Sequence, residues 1–314
     1  MPESAEVRRI VDKLRSRLTG QSLLFITWIT DTKYSKVFDH TWSGVSNRFP
    51  TICVDIISRG KQIFFFLENG LAFVSGLGME GHWYYFENVD SVNKYLSDKH
   101  HPKFCLHFGQ KFYREDVLWC VSETQVWYDD SRNFGNFSIV TWNDAFHKIK
   151  EIGPDWLAVH HPLSITSVMK DVLPKEFYRQ VTLTEFQTII TAPSRSKMEL
   201  CRFLMNQKYL SGCGNWVKTE VLYRASLHPH RLLGSLSSME IALLFESCLD
   251  IIDKAHQHGG LTHGTFLDPD MEKGTYPVKI YKLGNQLDEH GHMITKIKTR
   301  DGRSTYLVEE IQRE

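Results

Sequence analysis

Asn206-Gln207-Lys208-Tyr209-Leu210-Ser211-Gly212-Cys213-Gly214-Asn215-Trp216 is the stretch that decides the fold. An apolar-periodic helix follows it through Val217, Val221, Leu222 and Ala225. Gly212 and Gly214 permit a tight backbone between two helices. Asn215 then stands where the second helix begins, beside backbone N–H groups that have no partner within the helix and can meet a phosphate. The same segment also reads as an ordinary helix-turn-helix packing element with a capping Asn.

Outward from this segment, helical spacing dominates from Leu183 to Gln257. Upstream, Gly153, Pro154, His161, Pro162 and Pro174 break the pattern and place a domain boundary near residue 160. Earlier still the chain is β-rich: Leu23 to Ile29, Thr51 to Ile57, Gln62 to Leu67, Leu71 to Ser75, Lys111 to Tyr113 and Thr124 to Tyr128, with Glu68-Asn69-Gly70 as a hairpin turn. Several strands with few helices between them argue for a β-sandwich rather than alternating α/β units. One amphipathic helix opens the chain, with Val7, Ile10, Val11, Leu14 and Leu18 on its apolar face and Gly20 as its stop. Tyr276 to Ile311 returns to strand-like alternation around turns at Lys282-Leu283-Gly284-Asn285 and Arg300-Asp301-Gly302, which predicts a β-hairpin appended to the helices. The expected fold class is α+β, with an N-terminal β-sandwich domain at 1–155, a linker at 156–180, a helical domain at 181–268 and the hairpin at 269–314.

With 314 residues, 42% of them hydrophobic, the chain is long enough for two modest cores. Cys53, Cys105, Cys120, Cys201, Cys213 and Cys248 form no CxxC pair, and no secretory leader precedes them, so they read as reduced thiols of an intracellular protein. The apolar runs fall far short of the roughly 20 residues of a membrane span. Net charge is zero, so a nucleic-acid partner must show itself in local clusters. Arg8, Arg9, Lys13, Arg15 and Arg17 in the first helix form one, and Lys296 to Arg303 another, although charge runs are usually solvated faces.

Pro2 follows the initiator Met, and removal of Met1 frees a secondary amine. An α-amino group titrates near pH 8 against about 10.4 for Lys, so much more of it is nucleophilic near neutrality. Such an amine attacking a sugar C1′ expels the base and leaves an iminium, the electron sink that strand cleavage by elimination requires. Glu3 beside it is a candidate to carry protons there, although many proteins begin Met-Pro-Glu and the usual reason is nothing catalytic. Ser58-Arg59-Gly60-Lys61 leads into Phe64, Phe65 and Phe66, and Gly76-Leu77-Gly78-Met79-Glu80-Gly81 follows.

Over nearly its whole length the chain resembles the Fpg/Nei family of DNA glycosylases. Pro2-Glu3 with Glu6-Val7 resembles the family's catalytic amino terminus, with Ala5 where many members carry proline. Arg59-Gly60-Lys61 resembles the motif whose lysine assists elimination and holds a phosphate. The segment from Gln207 to Asn215 resembles the helix-two-turn-helix signature, which implies that Lys208 and Asn215 contact phosphates beside the lesion. Gly302-Arg303-Ser304-Thr305 resembles the tip of the family's finger, implying that Arg303 grips phosphate and assists a second elimination. Met79, and Arg132 and Phe134 in Asp130-Ser131-Arg132-Asn133-Phe134-Gly135, resemble residues that fill the gap left by a flipped nucleotide.

The resemblance implies a bifunctional glycosylase and AP lyase of base excision repair with Pro2, Glu3, Lys61 and Arg303 as its catalytic residues. Lys208, Asn215, Met79, Arg132, Phe134 and Glu6 are its DNA-binding residues. Damaged DNA is the expected partner, duplex or single-stranded, lying in a cleft between the domains; the protein is expected as a monomer in nucleus or cytoplasm. No cysteine follows Cys248, so a thiolate zinc finger is excluded and the hairpin resembles the zincless finger of some family members. His290 with His292, or His256 with His258 and His263, are read as loop histidines, so no metal or cofactor is expected. Packing by Tyr276, Val278, Ile280, Tyr281, Ile294, Ile297, Tyr306 and Val308 must then hold the finger. Zincless members suggest oxidised pyrimidines and ring-opened purines as substrates, whereas Met79, Arg132 and Phe134 resemble the 8-oxoguanine branch; the reading leans towards oxidised pyrimidines. The rival reading is a non-catalytic protein that binds damaged or single-stranded DNA on the same fold.

Overall fold

The computed structural model describes residues 2–29, 32–37, 41–114, 117–157, 179–262 and 266–313. Met1, His161, Pro162, Pro174, His263 and most of the expected linker 156–180 lie outside the described residues.

Helix α1 (Ser4–Leu18) ends at Gly20, whose φ is +84°. Strands β1 (Ser22–Trp28), β2 (Thr51–Arg59), β3 (Gln62–Leu67), β4 (Leu71–Gly76), β5 (Gly81–Phe86), β6 (Pro102–Arg114), β7 (Val117–Asp130) and β8 (Asn136–Thr141) follow. They form one antiparallel ladder in the order β5-β7-β6-β1-β2-β3-β4-β8. At its middle, β1 and β2 are joined only through Ser22↔Ile52 and Leu23↔Thr51. The ladder folds there into two halves that face each other. Phe104 of one half lies 4.4 Å from Phe137 of the other between ring centroids, and Trp83 lies 5.2 Å from Phe65. Each such ring buried in the shared core contributes roughly 1.5–3 kcal/mol. The sandwich is therefore an N-terminal antiparallel structure, as the alternation predicts, and it is more regular than the sequence suggests. Strands β5 and β8, and helices α2 (Val89–Ser97) and α3 (Trp142–Glu151), are additions. Asn88 and Thr141 cap those helices by accepting from Ser91 N and Asp144 N.

The helical region holds α4 (Leu183–Ile190), α5 (Leu200–Met205), α6 (Asn215–Arg224) and α7 (Ser238–Gln257). Trp156 and Leu157, which fall in the expected linker, are already part of its core, together with Val181 at the start of the expected helical domain. Helix α1 belongs to both cores: Val7, Ile10, Val11, Leu14 and Leu18 pack into the sandwich, and Ala5 into the helices.

The C-terminal segment is mostly turns. Its regular strands are β9 (Thr295–Lys298) and β10 (Ser304–Leu307), with Lys282, Asn285 and Gly302 at positive φ in the turns between apolar anchors. Ile280, Ile294 and Val308 build a small core with Tyr223 of α6, and Tyr306 packs on it. Tyr276, Val278 and Tyr281 pack on the helical core, while Ile297 is half-buried on β9. Glu220 of α6 hooks the segment further, its carboxylate accepting from Lys279 N, Ile280 N and Tyr281 N at 2.8–3.0 Å. Among the described residues no helix is long and apolar enough to cross a membrane. Cys53, Cys105, Cys201, Cys213 and Cys248 are free and buried.

The basic face of α1 is not open. Lys13 Nζ lies 2.6 Å from Asp268, 2.6 Å from Asp270 and 2.7 Å from Glu272, Arg17 pairs with Asp270, and Arg15 with buried Asp55. This cluster joins the start of the chain to the 268–272 turn.

Candidate active site

The site begins with a carboxylate that leaves its own helix. Glu3 is the N-cap of α1, and Glu6 reaches back to accept its backbone N–H at 2.9 Å. The Glu3 side chain crosses to the start of α6, where it accepts from Gly214 N at 2.6 Å, Trp216 N at 3.0 Å and Val217 N at 3.3 Å. The helix N-terminus thus holds a carboxylate, with its unpaired donors and dipole both favouring the negative charge. This corrects one expectation: of the backbone N–H groups read as open to a phosphate, those of Gly214, Trp216 and Val217 are taken by Glu3. The cap of α6 is Gly214 rather than Asn215.

Two further joints fix this meeting. Ser4 N donates to Gly212 O at 3.1 Å, and Gly212, at φ +93°, lies so close that a Cβ there would stand 2.5 Å from Ser4 Cβ. The Gln207 side chain templates the turn, donating to Cys213 O and accepting from Gly212 N. From the sandwich, the β2–β3 hairpin tip presses on the same turn. Gly60, at φ +56°, donates its N–H to Asp155 Oδ2 at 2.6 Å, and a Cβ there would meet Ser211 Cβ at 2.7 Å. Lys61 is thereby delivered to the same point as Glu3. A Cβ built on Gly214 would lie 2.3 Å from Glu3 Cδ and 2.5 Å from Lys61 Nζ.

Glu3 is 1% exposed, and burial raises its carboxyl to about 7, against the opposing charge of Lys61 and with a further push from Glu6. A carboxyl titrating there is matched to giving and taking protons near neutrality. Pro2, its chain neighbour, is also buried. Glu6 is 1% exposed, and its oxygens accept from Glu3 N and Leu261 N inside the protein.

Lys61 shares a cavity of about 500 Å³ with Arg59, Lys148, Gln207 and Lys208. Lys208 is exposed at its rim, on the turn that Gln207 templates. Asn215 donates Nδ2–H to Ser304 O at 2.8 Å, which fastens α6 to the turn bearing exposed Arg303. Glu3, Lys61 and Asn215 therefore converge on Gly214, with Lys208 and Arg303 beside them.

Met79, Arg132 and Phe134 form a separate group on two loops locked together. Gly78, at φ +60°, has no room for a side chain, since a Cβ would lie 2.4 Å from the Phe134 backbone. Ser131 Oγ donates to Glu80 at 2.8 Å, Arg132 pairs with Glu80 at 3.4 Å, and the Arg132 guanidinium lies 4.8 Å from the centroid of the Phe134 ring. Phe134 is 54% exposed, an aromatic ring offered to solvent at a loop tip.

Family models match on both sides of the junction. The formamidopyrimidine-DNA glycosylase N-terminal domain matches residues 1–137, and the formamidopyrimidine-DNA glycosylase H2TH domain matches 175–266. The chain belongs to the Fpg/Nei family of DNA glycosylases. A formamidopyrimidine-DNA glycosylase of Mycoplasma pneumoniae is 29% identical over 318 residues, covering 99% of each chain. Among solved structures, a Lactococcus lactis Fpg variant in complex with DNA containing Fapy-dG matches with a TM-score of 0.76 at 21% identity, covering 100% of both chains. The wild-type L. lactis Fpg in complex with DNA containing an oxidised pyrimidine matches with a TM-score of 0.74 at 21% identity, again over 100% of both chains.

Within this Fpg/Nei fold, sequence reasoning missed Asp155, Lys218 and Glu220. Asp155 holds the Lys61 hairpin, and the other two lie on α6, which is buried from Trp216 to Tyr223. The available signal is Lys218 and Glu220 lying between Val217 and Val221 on a helix with apolar periodicity, because buried charges need specific partners.

Proposed function

We propose that this protein is a DNA glycosylase and AP lyase of base excision repair whose nucleophile is the amine of Pro2. The observation that carries the reading is the Glu3 carboxyl, fixed on the N-terminus of α6 beside Lys61 and raised to about 7. DNA binding without turnover requires neither feature. The freed Pro2 nitrogen attacks C1′ of the damaged nucleotide, and the base departs with the pair of the C1′–N bond, receiving a proton. Glu3, next in the chain, moves protons between sugar and solvent as the ring opens to an iminium. Loss of a C2′ proton gives an enamine, which expels the 3′ phosphate by breaking C3′–O. Loss of a C4′ proton then expels the 5′ phosphate by breaking C5′–O. Lys61 assists the first elimination and Arg303 the second.

Lys61, Lys208, Asn215 and Arg303 hold phosphates, which positions the strand without reading its sequence. Damaged DNA occupies the cleft between a sandwich domain (1–155) and a helical domain (181–268), with the finger (269–314) closing over it and the protein acting as a monomer. Met79, Arg132 and Phe134 fill the gap left by the extruded nucleotide. Oxidised pyrimidines are the favoured lesions, supported by the finger's resemblance to zincless members. The L. lactis enzyme of the same fold is complexed with both an oxidised pyrimidine and Fapy-dG, so a panel of such lesions is the direct comparison. The deciding experiment is borohydride reduction with abasic-site DNA: a covalent adduct that requires Pro2 is expected, and its absence overturns the reading.

A further inference from the structure

The Lys218 side chain is fully buried, and its ammonium lies 2.6 Å from Asp301 Oδ2, itself 5% exposed, and 3.5 Å from Thr299 Oγ1. Asp301 and Thr299 belong to the turn between β9 and β10 that carries Arg303. Asp301 Oδ1 accepts from the Thr299 hydroxyl and from Arg303 N at 3.4 Å. Thr299 N donates to Arg303 O at 3.0 Å, and the Thr299 hydroxyl lies 3.1 Å from the same oxygen. Both backbone polar groups of Arg303 are therefore held by residues that Lys218 anchors.

Asn215 and Lys218 are three residues apart on α6 and share a face. One fastens Ser304 and the other Asp301, so the two contacts bracket Arg303. Arg300 also reaches across, to Glu199 at 3.0 Å, but its side chain is 75% exposed, and so open a pair fixes little. The buried pair is the rigid link. Because Glu3 docks at the first turn of the same helix, α6 sets the distance between the site of the first chemical steps and the arginine of the last.

We propose that Lys218 is a positioning residue for Arg303: through Asp301 it governs the second, 5′-side elimination without touching DNA. This rests on the lyase reading above. The test resolves the two elimination products from an abasic-site duplex for wild type, K218M, K218R, R303A and K218M/R303A. K218M should form the borohydride adduct and the first product at the wild-type rate. The second elimination should slow by roughly 10- to 100-fold, as expected when a catalytic group is displaced by about 1 Å. K218R should restore much of the second step, and K218M should add nothing in the R303A background.

If the unpaired Asp301 prevents K218M from folding, K218M/D301N removes both charges and carries the same expectation, which a purely structural role would not produce. A folded variant with the wild-type product ratio overturns the proposal. A wild-type protein that stops after the first elimination does so too, since Arg303 then has no second step to serve. Failure of the wild type to form any adduct instead refutes the lyase reading itself.

Discussion

Gly214 is where one methyl group should separate folding from chemistry. Its φ and ψ, −133° and −157°, are extended values open to any residue, so Gly214→Ala carries no backbone strain. The added Cβ would stand 2.3 Å from Glu3 Cδ, 2.3 Å from Glu3 Oε1 and 2.5 Å from Lys61 Nζ, where ordinary contact begins at 3.4 Å. Each group must retreat by about 1 Å, and overpacking of this kind costs about 1–3 kcal/mol. Glu3 is held by three backbone N–H groups, so its retreat also lengthens the bond from Gly214 N. A shift of about 1 Å at a catalytic group lowers rate by about 100-fold. Single-turnover base release and borohydride trapping measure that loss. A thermal melt bounds the stability change, and binding to a duplex carrying a stable abasic analogue should fall far less than the rate, because the atoms nearest the added methyl belong to Glu3 and Lys61, and Lys61 is one of four proposed phosphate-holding residues. Wild-type single-turnover rates in a folded G214A protein would refute the claim that Glu3 and Lys61 act at this point.

Burial holds the Glu3 carboxyl at about 7 against an ordinary 4.5, so the folded state keeps a proton that the unfolded chain releases. Wild-type stability should therefore fall relative to Glu3→Gln as pH rises from about 4.5 to 7 and level off above, as followed by paired melts; a flat difference would contradict the raised value. Glu220→Ala leaves three backbone donors of the C-terminal segment without their carboxylate, at about 1–3 kcal/mol for each that stays buried. Limited proteolysis should then cut between residues 270 and 310 faster than in wild type, and an unchanged digest would count against the hook. Lys208→Ala should weaken binding to all sequences alike and reduce the slope of log affinity against log salt by about one, as read by anisotropy titrations; an unaltered slope removes Lys208 from the phosphate contacts.

What the sequence exposed and what it hid follow from distance along the chain. Helix α1 and the end of α7 at Gln257 stand where apolar spacing puts them, because that signal is local. Strand β8 alternates clearly once seen, but six residues behind a glycine loop give periodicity little to work on. Strand β5 is buried at nearly every position, so it lacks the alternation that marks a one-sided strand. At the finger, apolar anchors were legible while the path between them was not, since Glu220 and Asp288 fix the turns through backbone N–H groups. The candidate residues Glu3, Lys61 and Asn215 were named from motifs. Their convergence on Gly214 was not visible, because Glu3 meets α6 across more than two hundred residues, through contacts to backbone that leave no mark on side-chain identity.

The locked pair of loops bearing Met79, Arg132 and Phe134 has a consequence for how such a protein searches. With Gly78 pressed on the Phe134 backbone and Asp130 holding both Gly135 N and the Tyr34 hydroxyl, the two tips move as one body. On the proposed role of these residues in filling the gap left by an extruded nucleotide, such a probe would arrive at each base step already assembled, and little chain entropy would be lost when it entered the stack. The free-energy difference between a sound step and a damaged one then comes from the duplex. Under that proposal, steps that unstack most easily would admit the probe first, and the DNA's own weakness would become the signal.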